Sequence, residues 1–270
     1  MKTIIIAILI FCGLNVFNLD KNEDRLPEVP ELKIEEHERE AAQGLLLSLL
    51  PPREDWPEAV QKFYLAFNLE EAIEPYRESP HWVAGENISP ATKKALIAIE
   101  DHNFYDHGAI SPEGILRAVL VNLTEGEIVQ GGSTLTQQLV KNLFLSPEQH
   151  LSRKVEEAIL SLMLEDKYSK DEILEIYLNT TYFGAGATGL TEASATYFAK
   201  EPAQLTLAES AVIAALPYAP SALNPLENPS GCKQRQQLVL QQMARYHFIS
   251  QEEAAEAASQ EVYLANGTYL

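Results

Sequence analysis

Past Pro80 the apolar positions recur with a helical period. Leu96, Ile97 and Ile99, then Ile159, Leu160, Leu162 and Met163, mark single helix faces and do not alternate as strands do. Thr134-x-x-Gln137, Ser169-x-x-Glu172, Thr206-x-x-Glu209 and Ser250-x-x-Glu253 each read as a capping box, in which the hydroxyl and the later side chain satisfy free amides at a helix start. Ser89-Pro90, Ser111-Pro112 and Ser146-Pro147 place an N-cap hydroxyl before a proline suited to the first helical position. Strand-type alternation is scarce, so the pattern predicts a mainly α body. Gly184, Gly186 and Gly189 cluster in one turn-rich stretch that ends one helix and opens another. Between Ala41 and Tyr76, apolar patches broken by Pro51-Pro52 predict two short helices.

The N-terminus follows a different rule. Thr3 to Leu19 is 17 residues without a charge, preceded by Lys2 and followed by acids from Asp20 onward, which is the lower limit for a membrane-crossing helix. The basic flank is the short N-terminal one, so the remainder is expected on the extracytoplasmic side of a single-pass anchor in the cytoplasmic membrane. A cleaved signal peptide is the alternative, but no small-x-small site follows the apolar stretch. From Asp20 to Glu40 nine acids and four bases, with Pro27 and Pro30, predict a solvated linker. The expected organisation is therefore an anchor over 1–19, an acidic membrane-proximal segment over 20–80, and a helical domain over 81–270.

Charge narrows the choice of partner. Twenty Lys and Arg against 39 Asp and Glu leave a formal charge of −19, which argues against nucleic acid and obliges any anionic ligand to meet a local cluster of cations. Two cysteines, Cys12 and Cys232, form neither a disulfide framework nor a metal spacing.

Four blocks carry chemistry. Glu100-Asp101-His102-Asn103-Phe104-Tyr105-Asp106-His107 follows the apolar helix end ALIAI. It reads either as a solvated helix terminus or as a set of proton-handling groups; His102 and His107 lie five apart and do not share a helix face as metal ligands would. Gly131-Gly132-Ser133-Thr134 runs into a helix start with Gln137, Gln138, Lys141 and Asn142. This is a capped helix with a polar face or an anion cradle, since free N–H groups and the helix dipole both favour an anion there. Arg153 and Glu157 are spaced as an ordinary i,i+4 pair at the start of a long helix running to Asp166. Ile173 to Asn179 is an amphipathic helix that reads as core, leading to Tyr182-Phe183-Gly184.

In order, EDxxFxxH, GxSTxTQQLxKN, RKxxE, ILExYLNxxYFG and RxxxVL (Arg235 to Leu240) resemble the five signature blocks of the peptidoglycan glycosyltransferases, over roughly Val83 to Phe248. The segment LPYAPSALNP, Leu216 to Pro225, is similar to the family as well. Ala109 and Ala199 depart from it by standing where glycine is usual.

The resemblance implies a lysozyme-like helical fold with a small membrane-associated lobe, and a reaction that polymerises lipid II into β-1,4-linked glycan strands with inversion. It implies Glu100 as general base and Glu157 as a second essential carboxylate. Lys141, Arg153 and Lys154 would be the cations at the leaving pyrophosphate, with Gln137, Gln138 and Asn142 as hydrogen-bond partners. Asp101, Phe104, His107 and Arg117 would shape the acceptor end, and Ser133, Thr134 and Tyr182 the donor end. The apolar segment between Arg117 and Gly131 would belong to the membrane-dipping lobe. A divalent cation, Mg or Mn, beside the pyrophosphate is an option the resemblance leaves open. The implied partners are lipid II, the growing lipid-linked strand, the membrane and other cell-wall synthesis proteins.

Two other functions fit part of the pattern. A lysozyme-like hydrolase or lytic transglycosylase would share the glutamate, but it needs an acid for a sugar leaving group and has no use for a cationic pyrophosphate site. A non-catalytic membrane scaffold would need neither Glu100 nor Glu157. Ser230-x-x-Lys233 formally fits a penicillin-binding motif, yet no S-x-N or K-T-G follows it.

Overall fold

The computed structural model describes residues 55–56, 61, 64, 68–116, 132–145 and 151–270. The expected anchor, most of the linker, Arg117, the 118–131 segment with Gly131, and Ser146-Pro147 lie outside the described residues. Two compact units divide the chain, 1–61 and 62–270. In the first, Gln61 Nε2 donates to the Trp56 carbonyl at 2.8 Å. The helices described in the second are α1 (Leu69–Arg77), α2 (Pro90–Glu100), α3 (Leu135–Phe144), α4 (Leu151–Lys167), α5 (Lys170–Thr180), α6 (Leu190–Phe198), α7 (Leu207–Ala215), α8 (Pro229–Arg245) and α9 (Gln251–Ser259). A short hairpin, β1 (Tyr182–Gly184) and β2 (Ala187–Thr188), separates α5 from α6.

Local chemistry sets the helix starts. All four capping boxes form with both reciprocal bonds, at Thr134, Ser169, Thr206 and Ser250. Ser111 Oγ accepts from the Gly114 amide at 3.0 Å, opening a helical turn over 112–116. Ser89 departs from expectation. Pro90 does open α2, but the Ser89 hydroxyl makes no cap bond and donates to the Leu205 carbonyl at 3.2 Å, because a buried hydroxyl there has a tertiary acceptor within reach.

Packing centres on α7, which is apolar nearly all round and buried from Ala208 to Ala215. Its alanines let α2 and α8 approach closely, and those two helices also pack against each other. Across these contacts the Thr92 and Ser210 hydroxyls pair at 2.9 Å, and Gln236 Nε2 donates to the Ala208 carbonyl at 2.8 Å. A second group packs α3 against α4 and α5 through fully buried Leu135, Leu139, Leu160, Leu164 and Ile173. Each such side chain contributes roughly 1.5–3 kcal/mol by leaving water.

The helix read as core, α5, also has a polar task. Glu175 accepts from Trp82 Nε1 at 3.2 Å and from the Gly85 amide at 2.7 Å. Asn179 bonds Val83 in both directions, at 2.8 and 2.9 Å, so α5 is stitched to the chain at 82–85. The glycine cluster forms an antiparallel hairpin and not merely a turn, with Tyr182 opposite Thr188. Gly184 is required there: its φ is +92°, and a Cβ would lie 2.6 Å from the Pro220 carbonyl oxygen. Among the described residues no helix is long and apolar enough to cross a membrane.

Candidate active site

Glu100 ends α2, partly buried, where the chain leaves the helix. Gln138 on α3 donates from Nε2 to Glu100 Oε2 at 2.8 Å, and its Oε1 accepts from the buried Tyr177 hydroxyl of α5 at 3.2 Å. Burial is the main force on Glu100 and raises its pKa above the ordinary 4.5, with the neighbouring Asp101 charge adding to it. The Gln138 bond and the charges of Arg235 and Lys141 pull the other way without cancelling the rise. The product is a carboxylate that holds a proton more firmly than a solvated one, which suits a general base.

A cavity of about 290 Å³ opens next to this group, lined by Gln138, Lys141, Asn142, Tyr177, Thr180, Thr181, Tyr182, Pro217 and Pro220. It brings together four of the expected site residues: Gln138, Lys141, Asn142 and Tyr182. Lys141 and Asn142 lie three and four residues after Gln138 on α3 and therefore share its face. Thr181 Oγ1 is buried at the cavity wall, beside the Tyr177 hydroxyl.

Glu157, Lys154 and Ser133 form a second cluster. Glu157 is buried to 1% exposure and pairs with Lys154 Nζ, which also donates to Ser133 Oγ at 2.9 Å. A buried carboxylate thus holds a half-exposed ammonium in place. Arg153 sits beside Lys154 on the first turn of α4, partly buried.

Other expected site residues make contacts within the scaffold. Thr134 and Gln137 form the capping box of α3, both buried, and Thr134 Oγ1 also donates to the Ala109 carbonyl at 2.7 Å. The cap that their sequence offered is formed. Phe104 is wholly buried, with Lys170 Nζ 4.4 Å from its ring centre, and presents no surface to a ligand. Asp101 accepts from the Leu135 amide at 3.0 Å and faces His107 Nε2 at 2.6 Å, tying the first signature block to the start of α3. Arg117 lies outside the described residues. His102 stacks on Tyr246 with ring centres 3.8 Å apart.

Two residues beside the site were absent from the expected set. Arg235 on α8 lies over the Tyr218 ring at 4.1 Å and within electrostatic reach of Glu100, and its Nε is buried without a hydrogen-bond partner among the described residues. Both belong to segments already similar to the family, RxxxVL and LPYAPSALNP, and that membership was the available signal.

Among the described residues no three His, Cys, Asp or Glu come together as a metal cluster, and Glu157, the nearest to such a role, is committed to Lys154.

Comparison with known proteins agrees with the residue blocks. The family model described as transglycosylase matches residues 63–244. A putative transglycosylase of Cupriavidus necator is 44% identical over 183 residues, covering 68% of this chain and 79% of that protein. Penicillin-binding protein 1A of Aquifex aeolicus is 39% identical over 227 residues, 80% of this chain and 31% of its own length. Penicillin-binding protein 1A of Escherichia coli is 47% identical over 168 residues, 62% of this chain and 20% of its own. The chain thus spans less than a third of the penicillin-binding proteins it matches. Over the signature blocks and the helical body alike, the chain belongs to the transglycosylase family, the peptidoglycan glycosyltransferases.

Proposed function

We propose that this protein polymerises lipid II into β-1,4-linked peptidoglycan strands at the outer face of the cytoplasmic membrane, releasing the polyprenyl pyrophosphate carrier. The observation that carries the proposal is a partly buried glutamate of raised proton affinity, Glu100, one side chain away from a cavity lined by Lys141 and Asn142. A base beside a cation fits a displacement in which a proton leaves one side of the reacting carbon while negative charge develops on the other.

The step follows from that arrangement. The acceptor's 4-hydroxyl oxygen attacks the anomeric carbon of the lipid-linked strand, and its proton passes to the Glu100 carboxylate. The anomeric C–O bond to pyrophosphate breaks as the new glycosidic bond forms, so configuration inverts. Charge then accumulates on the pyrophosphate oxygens, where Lys141 stabilises it and Asn142 donates a hydrogen bond. Lys154, held by buried Glu157 and Ser133, supplies a second fixed cation without a reorganisation cost at the moment of reaction. The anchor over 1–19 keeps the enzyme on the surface that carries its lipid substrate.

The test is polymerisation of fluorescent lipid II by the detergent-solubilised chain, run beside Glu100→Gln with products resolved on gels. Glycan ladders from the wild type and none from the variant are expected. Soluble fragments released from purified sacculi, with no polymer from lipid II, would replace synthesis by cleavage.

A further inference from the structure

A short chain of hydrogen bonds ends on Glu100 and starts in the core. Tyr177, fully buried in α5, donates to Gln138 Oε1 at 3.2 Å, and Gln138 Nε2 donates to Glu100 Oε2 at 2.8 Å. A side-chain amide has one accepting end and one donating end, so whatever fixes its oxygen also fixes its NH₂. We propose that Tyr177 is a positioning residue for the base: by occupying Gln138 Oε1, its hydroxyl keeps the Gln138 NH₂ turned toward Glu100 and holds the carboxylate in its proton-accepting form. The inference rests on Glu100 being the base of the proposed reaction.

The two orientations of the Gln138 amide favour opposite states of Glu100. As found, the NH₂ donates to a carboxylate, which stabilises the ionised form. Reversed, the amide oxygen would face Glu100 and accept only from a protonated carboxyl, stabilising the acid. The Tyr177 hydroxyl opposes that reversal: a reversed amide could only donate to the Tyr177 oxygen, so the hydroxyl proton would have to give up the Gln138 oxygen and turn toward Thr181, its other side-chain neighbour. Burial, and next the Glu100 charge, push the Tyr177 hydroxyl well above its usual range, so it remains a donor wherever the enzyme works.

The other charged groups facing Glu100 are Asp101 at the end of its own helix, Arg235 from α8 and Lys141 from α3. None of them touches the Gln138 oxygen. At 3.2 Å the Tyr177 bond is long for a hydroxyl donor, which sets a moderate effect.

The experiment compares wild type, Tyr177→Phe, Gln138→Met and the double variant as full chains in detergent. It reads kcat and KM for lipid II against pH, and the ¹³C carboxyl titration of Glu100, assigned by its loss in Glu100→Gln. Tyr177→Phe is expected to lower kcat at neutral pH by roughly 3–10-fold with KM within about twofold, the scale of a single long hydrogen bond. Its acid limb and the Glu100 midpoint should both move to higher pH. In the Gln138→Met background the same substitution should change neither.

An unmoved midpoint and acid limb in folded Tyr177→Phe, from a wild type that polymerises, would overturn this inference alone. So would an equal shift in the Gln138→Met background, since a purely structural tyrosine would act with or without the amide. A wild type that makes no polymer would overturn the functional reading beneath it as well. If Tyr177→Phe does not fold, 3-fluorotyrosine at 177 strengthens the donor on nearly the same frame. It should move the Glu100 midpoint to lower pH, and an unmoved midpoint there also refutes the proposal.

Discussion

Replacing Asp101 by alanine removes the contact that ties the Glu100 loop to the start of α3. Two bonds are lost, one from the Leu135 amide at 3.0 Å and one from His107 Nε2 at 2.6 Å, and the two side chains are only 9% and 13% exposed. A hydrogen bond to a charged group is worth about 1.5–3 kcal/mol. The lost carboxylate also removes a favourable charge from a helix N-terminus, roughly 0.3–1 kcal/mol. These terms share an atom cluster and do not add fully, so a total of about 3–4 kcal/mol is expected. At roughly 2–4 °C per kcal/mol for a domain of this size, melting should fall by about 6–16 °C.

Asp101→Asn keeps an acceptor for Leu135 and should lose about half as much, and His107→Ala about 1–2 kcal/mol for a single bond. The assay is urea unfolding followed by helical circular dichroism, read as a shift in midpoint at unchanged slope. If Asp101→Ala falls within about 0.5 kcal/mol of wild type, or if Asp101→Ala and His107→Ala prove additive, the linkage is refuted.

Glu100→Gln should be more stable than wild type at neutral pH while losing activity. The folded protein binds a proton at Glu100 more firmly than the unfolded chain, so the stability this group confers is complete below 4.5 and is lost as pH rises through the raised value. Denaturation midpoints across pH check this, and an advantage that persists unchanged in acid would count against it. Ala199→Gly should stabilise the C-cap of α6. The alanine sits in left-handed backbone at φ 53°, ψ 40°, at a cost of about 1–2 kcal/mol, of which the more flexible unfolded glycine returns about 0.4–1. A gain near 0.5–1 kcal/mol, or about 1–4 °C, is expected, and a lower melting temperature would refute it.

Helix starts were legible because capping is local: a hydroxyl and an amide or carboxylate three residues on satisfy each other without help from the rest of the fold. The same locality explains the two departures from the family. Ala109 does not have positive φ and tolerates a side chain, whereas Ala199 does have it and bears the strain. What could not be seen were partnerships across long stretches of chain. Glu175 and Asn179 read as part of a core helix, yet their partners at 82–85 lie 90 to 96 positions away. Ser89 gave up its cap bond for a carbonyl 116 residues distant. In the candidate site, the resemblance points to Glu100, Gln138, Lys141 and Asn142, and the fold sets Gln138 against Glu100 with Lys141 and Asn142 in the adjoining cavity. Tyr177 looked like one more apolar position in a helical period, and nothing local reports the direction of its hydroxyl.

The helix α3 carries Gln138 against Glu100 and Lys141 and Asn142 into the neighbouring cavity, while its first turn is fastened to Asp101. The contact to Glu100 and the cavity's Lys141 and Asn142 therefore ride on one rigid rod. Successive residues on such a rod are about 100° apart, so inserting or deleting one between Thr134 and Gln138 would swing all three contacts away together. In related chains this stretch should keep its residue count even where the identities change.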